Sequence, residues 1–227
     1  MRIEIWSDVV CPWCFIGKRR FEQAMANVTS GPDAITSSVE IVYRAYQLDP
    51  TAPAHSTAPV RDVYAKKFGG YERADKIISQ LTQTAAEDGL DFRMDIAQRS
   101  NTILAHRLMW WVGSEHGYEV QSALKEALLN CYFTLGKNVG ELDTLISVAL
   151  EVIPHEISDE LFADSIRDFL LSESGKGEVT EELAMAMSHG ITGVPTYVIN
   201  GQWSIPGAQD VETFERVLRR AAERMVQ

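Results

Sequence analysis

The order of strand and helix signals predicts an α/β fold cut in two by an all-helical block. Three observations carry this. Strand, helix and strand patterns follow one another over the first 45 residues. Helical periodicity then runs almost without a strand signal for roughly 120 residues. A hairpin and a helix close the chain. The two ends read as halves of one sheet-containing unit, and the middle reads as an insert joined at an exposed site.

Each element has its own warrant. Ile3 and Ile5 alternate and Trp6 extends the run, which predicts a strand over residues 3–10. From Cys11 to about Val28 the residues Phe15, Ile16, Phe21, Met25 and Val28 suit a helix with a buried stripe. Pro12 stands where a first helical turn tolerates it. Residues 29–38 are loop, and VEIVYRA at 39–45 is a second strand. The segment PTAPAHSTAPV at 50–60 holds Pro50, Pro53 and Pro59, which neither a sheet nor a helix interior accommodates.

Helical patterns then cover 61–68, 71–88, 96–116, 119–134, 138–151 and 158–172, with Ser158 as an N-cap in a staple of Ile157 and Phe162. Gly175 and Gly177 mark a turn, and a helix is expected over Thr180–Ser188. Thr196–Ile199 and Gln202–Ile205 flank Asn200-Gly201, a hairpin signal. Asp210 caps a last helix that buries Phe214, Val217, Leu218 and Ala221. The expected division is 1–50 and 177–227 for the split unit, with 51–176 as the helical insert.

Charge narrows the partners. The chain of 227 residues carries 21 basic and 32 acidic side chains, a net charge of −11. Such a balance disfavours a phosphate backbone or an anionic membrane as partner. No stretch approaches the roughly 20 apolar residues of a membrane span. The start, Met1 to Trp6, reads as a strand and lacks the apolar run of a secretion signal, so the expected location is cytoplasmic. A monomer or a homodimer is compatible with this surface.

Three cysteines are too few for a disulfide-stapled scaffold. Two of them form Cys11-Pro12-Trp13-Cys14 at a strand-to-helix junction. Cys11 falls at the N-cap or first turn, facing unpaired N–H groups and the positive end of the helix dipole. That lowers the thiol pKa and makes Cys11 the attacking group. Cys14 lies one turn on and can resolve a mixed disulfide. The competing readings are a zinc half-site and two inert core cysteines. Zinc needs four ligands, and only Cys131 and five scattered histidines remain, so no metal is expected. Val194-Pro195-Thr196 precedes the hairpin. A cis proline there would leave the Val194 backbone open to an extended substrate, whereas an ordinary loop proline would not.

The stretch Ser7-Asp8-Val9-Val10-Cys11-Pro12-Trp13-Cys14-Phe15-Ile16-Gly17-Lys18 resembles the start of the DsbA-like thioredoxin-fold oxidoreductases, in particular the FrnE-type dithiol-disulfide isomerases. The likeness continues at Asn101-Thr102, Ala105 to Leu108 and Tyr132 to Thr134. It closes with Gly190 to Asn200 and Gly207-Ala208-Gln209. The resemblance implies a thioredoxin fold with a large all-helical domain inserted after the second strand. It implies attack by Cys11, resolution by Cys14 and a cis Pro195. Trp13 replaces the histidine typical of periplasmic DsbA proteins, so their strong oxidising character is not carried over. The extra cysteine pairs of some FrnE-like members are absent. The related hydroxychromene-carboxylate isomerases and kappa-class glutathione transferases typically carry serine near the first cysteine position, which this chain does not.

Several residues have two readings. Asp8 is either a proton acceptor for Cys14 or a solvated strand-end carboxylate. His106 is either a support of that chemistry or a structural histidine. Pro12, Trp13, Val194 and Thr196 are the candidate substrate contacts, and Trp13 could instead pack on the insert. Lys18 and Arg19 read as surface or packing groups, Trp110-Trp111 as core with a second possibility at an interlobe cleft, and Cys131 as core. The expected function is a thiol–disulfide oxidoreductase or isomerase acting on a disulfide-bearing protein or small-molecule disulfide. No cofactor need be tightly bound. A redox recycling partner is expected, with glutathione as a possible reductant or co-substrate. The alternatives are a glutathione-dependent isomerase or transferase, and a non-enzymatic chaperone using the same cleft.

Overall fold

The strands read at the two ends of the chain meet in one sheet. The computed structural model describes residues 1–36, 38–54 and 58–225. Its sheet runs β2-β1-β3-β4, formed by β1 (Arg2–Ser7), β2 (Glu40–Ala45), β3 (Thr196–Ile199) and β4 (Trp203–Pro206). β1 and β2 are parallel, and β3 is antiparallel to both β1 and β4. A parallel pair needs a crossover, which α1 (Pro12–Val28) supplies.

Period-two alternation divides the sheet residues between two faces. Ile3, Ile5, Tyr197 and Ile199 join the main core, under α1 and α9 (Val211–Met225). There the rings of Phe21, Tyr197 and Phe214 lie 4.8–5.4 Å apart. Trp6 and Val198 point the other way, onto Ala186 and Ile191 at the end of α8 (Lys176–Ser188). Between β2 and β3 the chain also forms α2 (Val60–Phe68), α3 (Tyr71–Glu87), α4 (Ile103–Glu115), α5 (Tyr118–Phe133), α6 (Leu142–Val152) and α7 (Asp159–Leu171). The architecture is a thioredoxin-fold core with a large helical insertion, α2–α8, after its second strand.

The insertion is fastened to the sheet at the free edge of β2. The Tyr43 N–H donates to Gln121 Oε1 at 2.8 Å, and Gln121 Nε2 donates back to the Tyr43 carbonyl at 3.2 Å. The Ala45 N–H donates to Glu182 Oε2 at 2.9 Å. Side chains from α5 and α8 thus occupy the backbone groups that an edge strand would otherwise leave open. Phe15 of α1 stacks on Phe92, which stacks on Phe133 of α5 at 4.5 Å, so one core runs through both parts.

Some boundaries differ from the periodicity reading. β1 stops at Ser7, because Val9 and Val10 turn the chain into Cys11. α4 starts at Ile103 rather than 96. Asn101 Oδ1 accepts the Ile103 N–H at 3.0 Å, and Pro59 bridges Gln98. α6 starts at Leu142 rather than 138, since Asn138 Oδ1 takes the Gly140 N–H in a similar local turn. α8 starts at Lys176. Gly175, at φ 74°, lies against the Trp110 ring, where an added Cβ would come within 2.9 Å of it. Gly177 is therefore inside the helix and not in the turn.

The hairpin keeps Asn200-Gly201 at positive φ, but Gln202 joins the turn and β4 begins at Trp203. Ser158 accepts the Leu161 N–H as its cap, while Ile157 stays half exposed. Asp210 caps α9 through the Thr213 N–H at 2.7 Å. Of the break read over 50–60, residues 55–57 lie outside the described residues, as do Ser37 of the first loop and Val226-Gln227.

Candidate active site

The turn after β1 delivers Cys11 as the N-cap of α1, with extended backbone, and Pro12 opens the helix. The Cys11 carbonyl accepts the Cys14 N–H at 3.0 Å, which fixes the two cysteines one turn apart. Both are free thiols and both are buried. The Val194–Pro195 peptide is cis, and the Cys11 thiol donates to the Val194 carbonyl at 3.5 Å. That carbonyl, expected to stand open, is taken by Cys11 in the dithiol state. Gly17 permits this approach of α1 to β3. A Cβ there would come within 2.8 Å of the Tyr197 hydroxyl and 3.1 Å of Pro195 Cγ.

The two thiols do not ionise alike. Burial pushes Cys11 well up, reinforced by the neighbouring Cys14 sulfur and the Asp8 charge. Burial also opposes ionisation of Cys14. The Cys11 thiol, the Lys125 charge, the Ser7 hydroxyl and the Asp8 main-chain N–H together overcome this and hold Cys14 below the ordinary thiol value. The expectation of a lowered pKa at Cys11 is therefore corrected. The two thiols titrate as a pair, which loses its first proton more easily than its second.

Asp8 and His106, weighed separately in the sequence, meet in the structure. His106 Nε2 lies 3.3 Å from Asp8 Oδ1, and Asp8 Oδ2 accepts the Leu48 N–H at 2.8 Å. Both side chains are buried, so the solvated reading of Asp8 does not hold. Burial alone would raise the Asp8 carboxyl. The His106 hydrogen bond and charge, the Leu48 N–H and the Lys125 charge hold it below its ordinary value.

Cys11 opens on a groove of about 640 Å³. Pro12, Trp13, Leu48 and Val194 form one wall, and Tyr64, Phe68, Ile77 and Leu81 of α2 and α3 form the other. Trp13 is 44% exposed and faces this groove. Thr196 is placed elsewhere. It is buried, its hydroxyl donates to the Gly193 carbonyl at 2.8 Å, and it lines an adjoining cavity that shares Gly193 and Val194 with the groove. A second pocket of about 350 Å³ shares Pro12, Leu48 and Tyr64 with the groove and is bordered by Lys67 and Arg99.

Lys18 is buried and ion-paired to Glu22 and Glu126, and Trp111 stacks on Phe169 at 5.3 Å, so both are packing groups. Cys131 is a core thiol that burial pushes up to about 11. Among the described residues no cluster of three or more His, Cys, Asp and Glu side chains could hold a metal ion. No helix among them is long and apolar enough to cross a membrane.

Sequence reading missed Ser7, Tyr64, the α2–α3 wall and Lys125. Lys125 alone left a local signal: with Gln121 it puts a polar pair, four residues apart, on the buried stripe of α5.

The fold has counterparts. A probable DsbA oxidoreductase from Streptomyces coelicolor is 31% identical, with a TM-score of 0.83 over 97% of this chain and 89% of that one. The uncharacterized protein YwbO of Bacillus subtilis (strain 168) is 26% identical over 221 residues, covering 96% of both chains. The cytosolic disulfide reductase DsbM from Pseudomonas aeruginosa, solved with GSH, shares the fold at 12% identity, with a TM-score of 0.64 over 100% of this chain and 99% of that one. The family model described as DSBA-like thioredoxin domain matches residues 2–219. With this match over nearly its whole length, and a Cys-x-x-Cys dithiol at the head of α1, the chain belongs to the DSBA-like thioredoxin domain family.

Proposed function

We propose that the protein is a dithiol–disulfide oxidoreductase or isomerase of the FrnE-type branch. The observation that carries this reading is the reduced Cys11–Cys14 pair at the start of α1, with Cys11 opening on an apolar groove. Loss of one proton from the coupled pair to solvent leaves one thiolate shared between the two sulfurs, and Cys11 attacks one sulfur of a substrate disulfide in the form that carries it. The substrate S–S bond breaks, its second sulfur leaves as a thiolate, and a mixed disulfide with Cys11 remains. Cys14 then attacks the Cys11 sulfur, the second substrate thiolate leaves, and each departing thiolate takes a proton from water. The dithiol loses two electrons and the substrate gains them. Trp13 and Leu48 give the substrate an apolar surface, and the Val194 carbonyl, released when Cys11 leaves it, accepts a substrate N–H. We place the reaction in the cytoplasm in the reducing direction, with glutathione as the recycling reductant. The GSH-bound form of DsbM supports that choice of reductant.

Cys14→Ala tests the mechanism. It should accumulate mixed disulfides through Cys11, and mass spectrometry of the adducts should separate protein clients from glutathione. If no adduct forms while Cys11 still reacts with an alkylating agent, the mechanism is wrong.

The groove volume also suits a small molecule, which keeps a glutathione-dependent isomerase or transferase as second reading. A rate with glutathione and an electrophilic aromatic substrate, exceeding disulfide reduction, would favour it.

A further inference from the structure

Helix α2 carries Val60, Val63, Tyr64 and Lys67 at spacings of three and four, which puts all four on one face. That face forms one side of the pocket of about 350 Å³ beside the groove. Two backbone hydrogen bonds hold α2 there. The Val60 N–H donates to the Ala97 carbonyl at 3.0 Å, and the Arg99 N–H donates to the Ala58 carbonyl at 2.8 Å. Met94 and Phe133, both buried, give the pocket an apolar floor. It shares Pro12, Leu48 and Tyr64 with the groove, so a ligand seated in it lies next to the Cys11 helix start.

The polar groups of this pocket are donors without acceptors. Tyr132 of α5 is 4% exposed, and its hydroxyl makes no hydrogen bond among the described residues. A buried hydroxyl without a partner is uncommon in a folded chain. This one is not among the polar atoms sealed from solvent, so it faces the pocket that Tyr132 lines. The Tyr64 hydroxyl, at the boundary with the groove, also has no partner among the described residues. Burial pushes the Tyr64 hydroxyl up to about 12 and raises that of Tyr132, so both stay protonated and can donate. Lys67 stands exposed at the rim and makes no ion pair among the described residues. Arg99 and Asp49 line the pocket too but answer each other, at 2.6 Å. The pocket therefore holds one unanswered positive charge in a chain of net charge −11, whereas the charged side chain lining the groove is Glu87. Its volume lies at the low end of the range of about 300–1,000 Å³ usual for small-molecule sites.

We propose that this pocket binds a small apolar carboxylic acid, its ring or branched chain on Met94 and Phe133 and its carboxylate answered by Tyr132, Tyr64 and Lys67, and that it selects small-molecule disulfides carrying such an acid as substrates of Cys11. The substrate assignment rests on the oxidoreductase reading above, and the binding site does not. The acid is held apart from the reacting sulfurs. One substrate sulfur bonds to Cys11, the substrate S–S bond breaks, and the other sulfur leaves as a thiolate that takes a proton from water. Cys14 then completes the exchange, so the dithiol supplies both electrons.

Calorimetric titration of the reduced chain with 3-phenylpropanoate and with its neutral counterpart 3-phenylpropanamide tests the site. The acid should bind about tenfold or more tighter than the amide. Tyr132→Phe, which removes only the hydroxyl, and Lys67→Gln, at an exposed side chain that the fold does not need, should each weaken the acid by about fivefold. Equal affinity for acid and amide in wild type, or binding of neither, overturns the proposal. So does a Lys67→Gln chain that binds the acid as wild type does. A kinetic arm tests the substrate assignment. kcat/KM for an aryl disulfide bearing a carboxylate should exceed that for its amide by about tenfold, and the ratio should shrink in Lys67→Gln. A ratio near one in wild type overturns that assignment. A chain that binds the acid but reduces neither disulfide would instead overturn the oxidoreductase reading and leave the binding site standing.

Discussion

Asp8 shows how one side chain can hold a site together. It is fully buried, and its two oxygens engage His106 of the insertion and the Leu48 N–H of the segment after β2. Replacing it with alanine leaves both partners without an acceptor, and the expected loss is about 1–3 kcal/mol in urea unfolding. Asp8→Asn keeps an acceptor and should lose less. The pH dependence has a definite sign. The folded carboxyl is held below its unfolded value, so its stabilisation is complete above about pH 4 and is lost as pH falls through the folded value. The stability gap between wild type and Asp8→Asn should therefore be widest near neutrality and narrow in acid. A gap that stays constant down to about pH 3 would contradict the assignment. Cys131 offers a contrast with the redox pair. Burial raises it to about 11, and it should resist alkylation under native conditions that modify the Cys11–Cys14 pair, as peptide mapping would record.

At the scale of elements, two contacts decide how helices meet. Arg107 of α4 is buried, and its guanidinium donates to the carbonyls of Phe169, Leu170, Ser172 and Ser174 at 2.7–3.1 Å. A cation there answers carbonyls at and just beyond the end of α7, of which that of Phe169 also accepts the Ser172 N–H and hydroxyl. Arg107→Ala should cost about 2–4 kcal/mol by urea unfolding, and Arg107→Lys should recover only part of this because lysine cannot span the fork. A loss under about 0.5 kcal/mol would show that the cap is dispensable. Gly17 plays the opposite part by being absent of a side chain. Gly17→Ala forces α1 away from Pro195 and Tyr197, at about 1–3 kcal/mol. It should also slow the Cys14→Ala trapping reaction, since the Val194 carbonyl moves relative to Cys11. Normal trapping rates in that background would refute the coupling.

For the whole molecule, the core that links Ile5, Phe15, Phe133, Leu145 and Phe214 joins the split unit to its insertion. Both parts should therefore unfold together. Tryptophans stand on both sides, Trp6 and Trp203 in the sheet and Trp110 and Trp111 in α4, so fluorescence and far-ultraviolet circular dichroism should give coincident transitions. Two separated transitions would show that the insertion is an independent domain. The groove has the same composite origin, with one wall from the dithiol side and the other from α2 and α3. Leu48→Gln should lower kcat/KM for an extended peptide disulfide by about tenfold, the equivalent of about 1.4 kcal/mol of apolar contact. The rate with a small disulfide reagent should change little. Equal losses for both substrates would argue against client binding in the groove.

Local chemistry made much of this legible in the sequence. The alternation of Ile3 and Ile5, the Asn200-Gly201 turn and the Asp210 cap fixed elements because each depends on neighbours a few residues away. The same holds for Cys11 and Cys14, whose spacing and helix start lie within one stretch of chain. Helix starts at Ile103 and Leu142 were harder, since asparagine side chains at 101 and 138 compete locally with the apolar period. What tertiary structure alone decided is which distant groups share the dithiol's surroundings. Asp8 found His106 across 98 residues, and the Gln121 clamp holds α5 so that Lys125 is buried against the Tyr43 ring. Burial and charge act through space rather than along the chain. The sequence could therefore name the reactive cysteines, but only the folded chain determined which distant groups surround them.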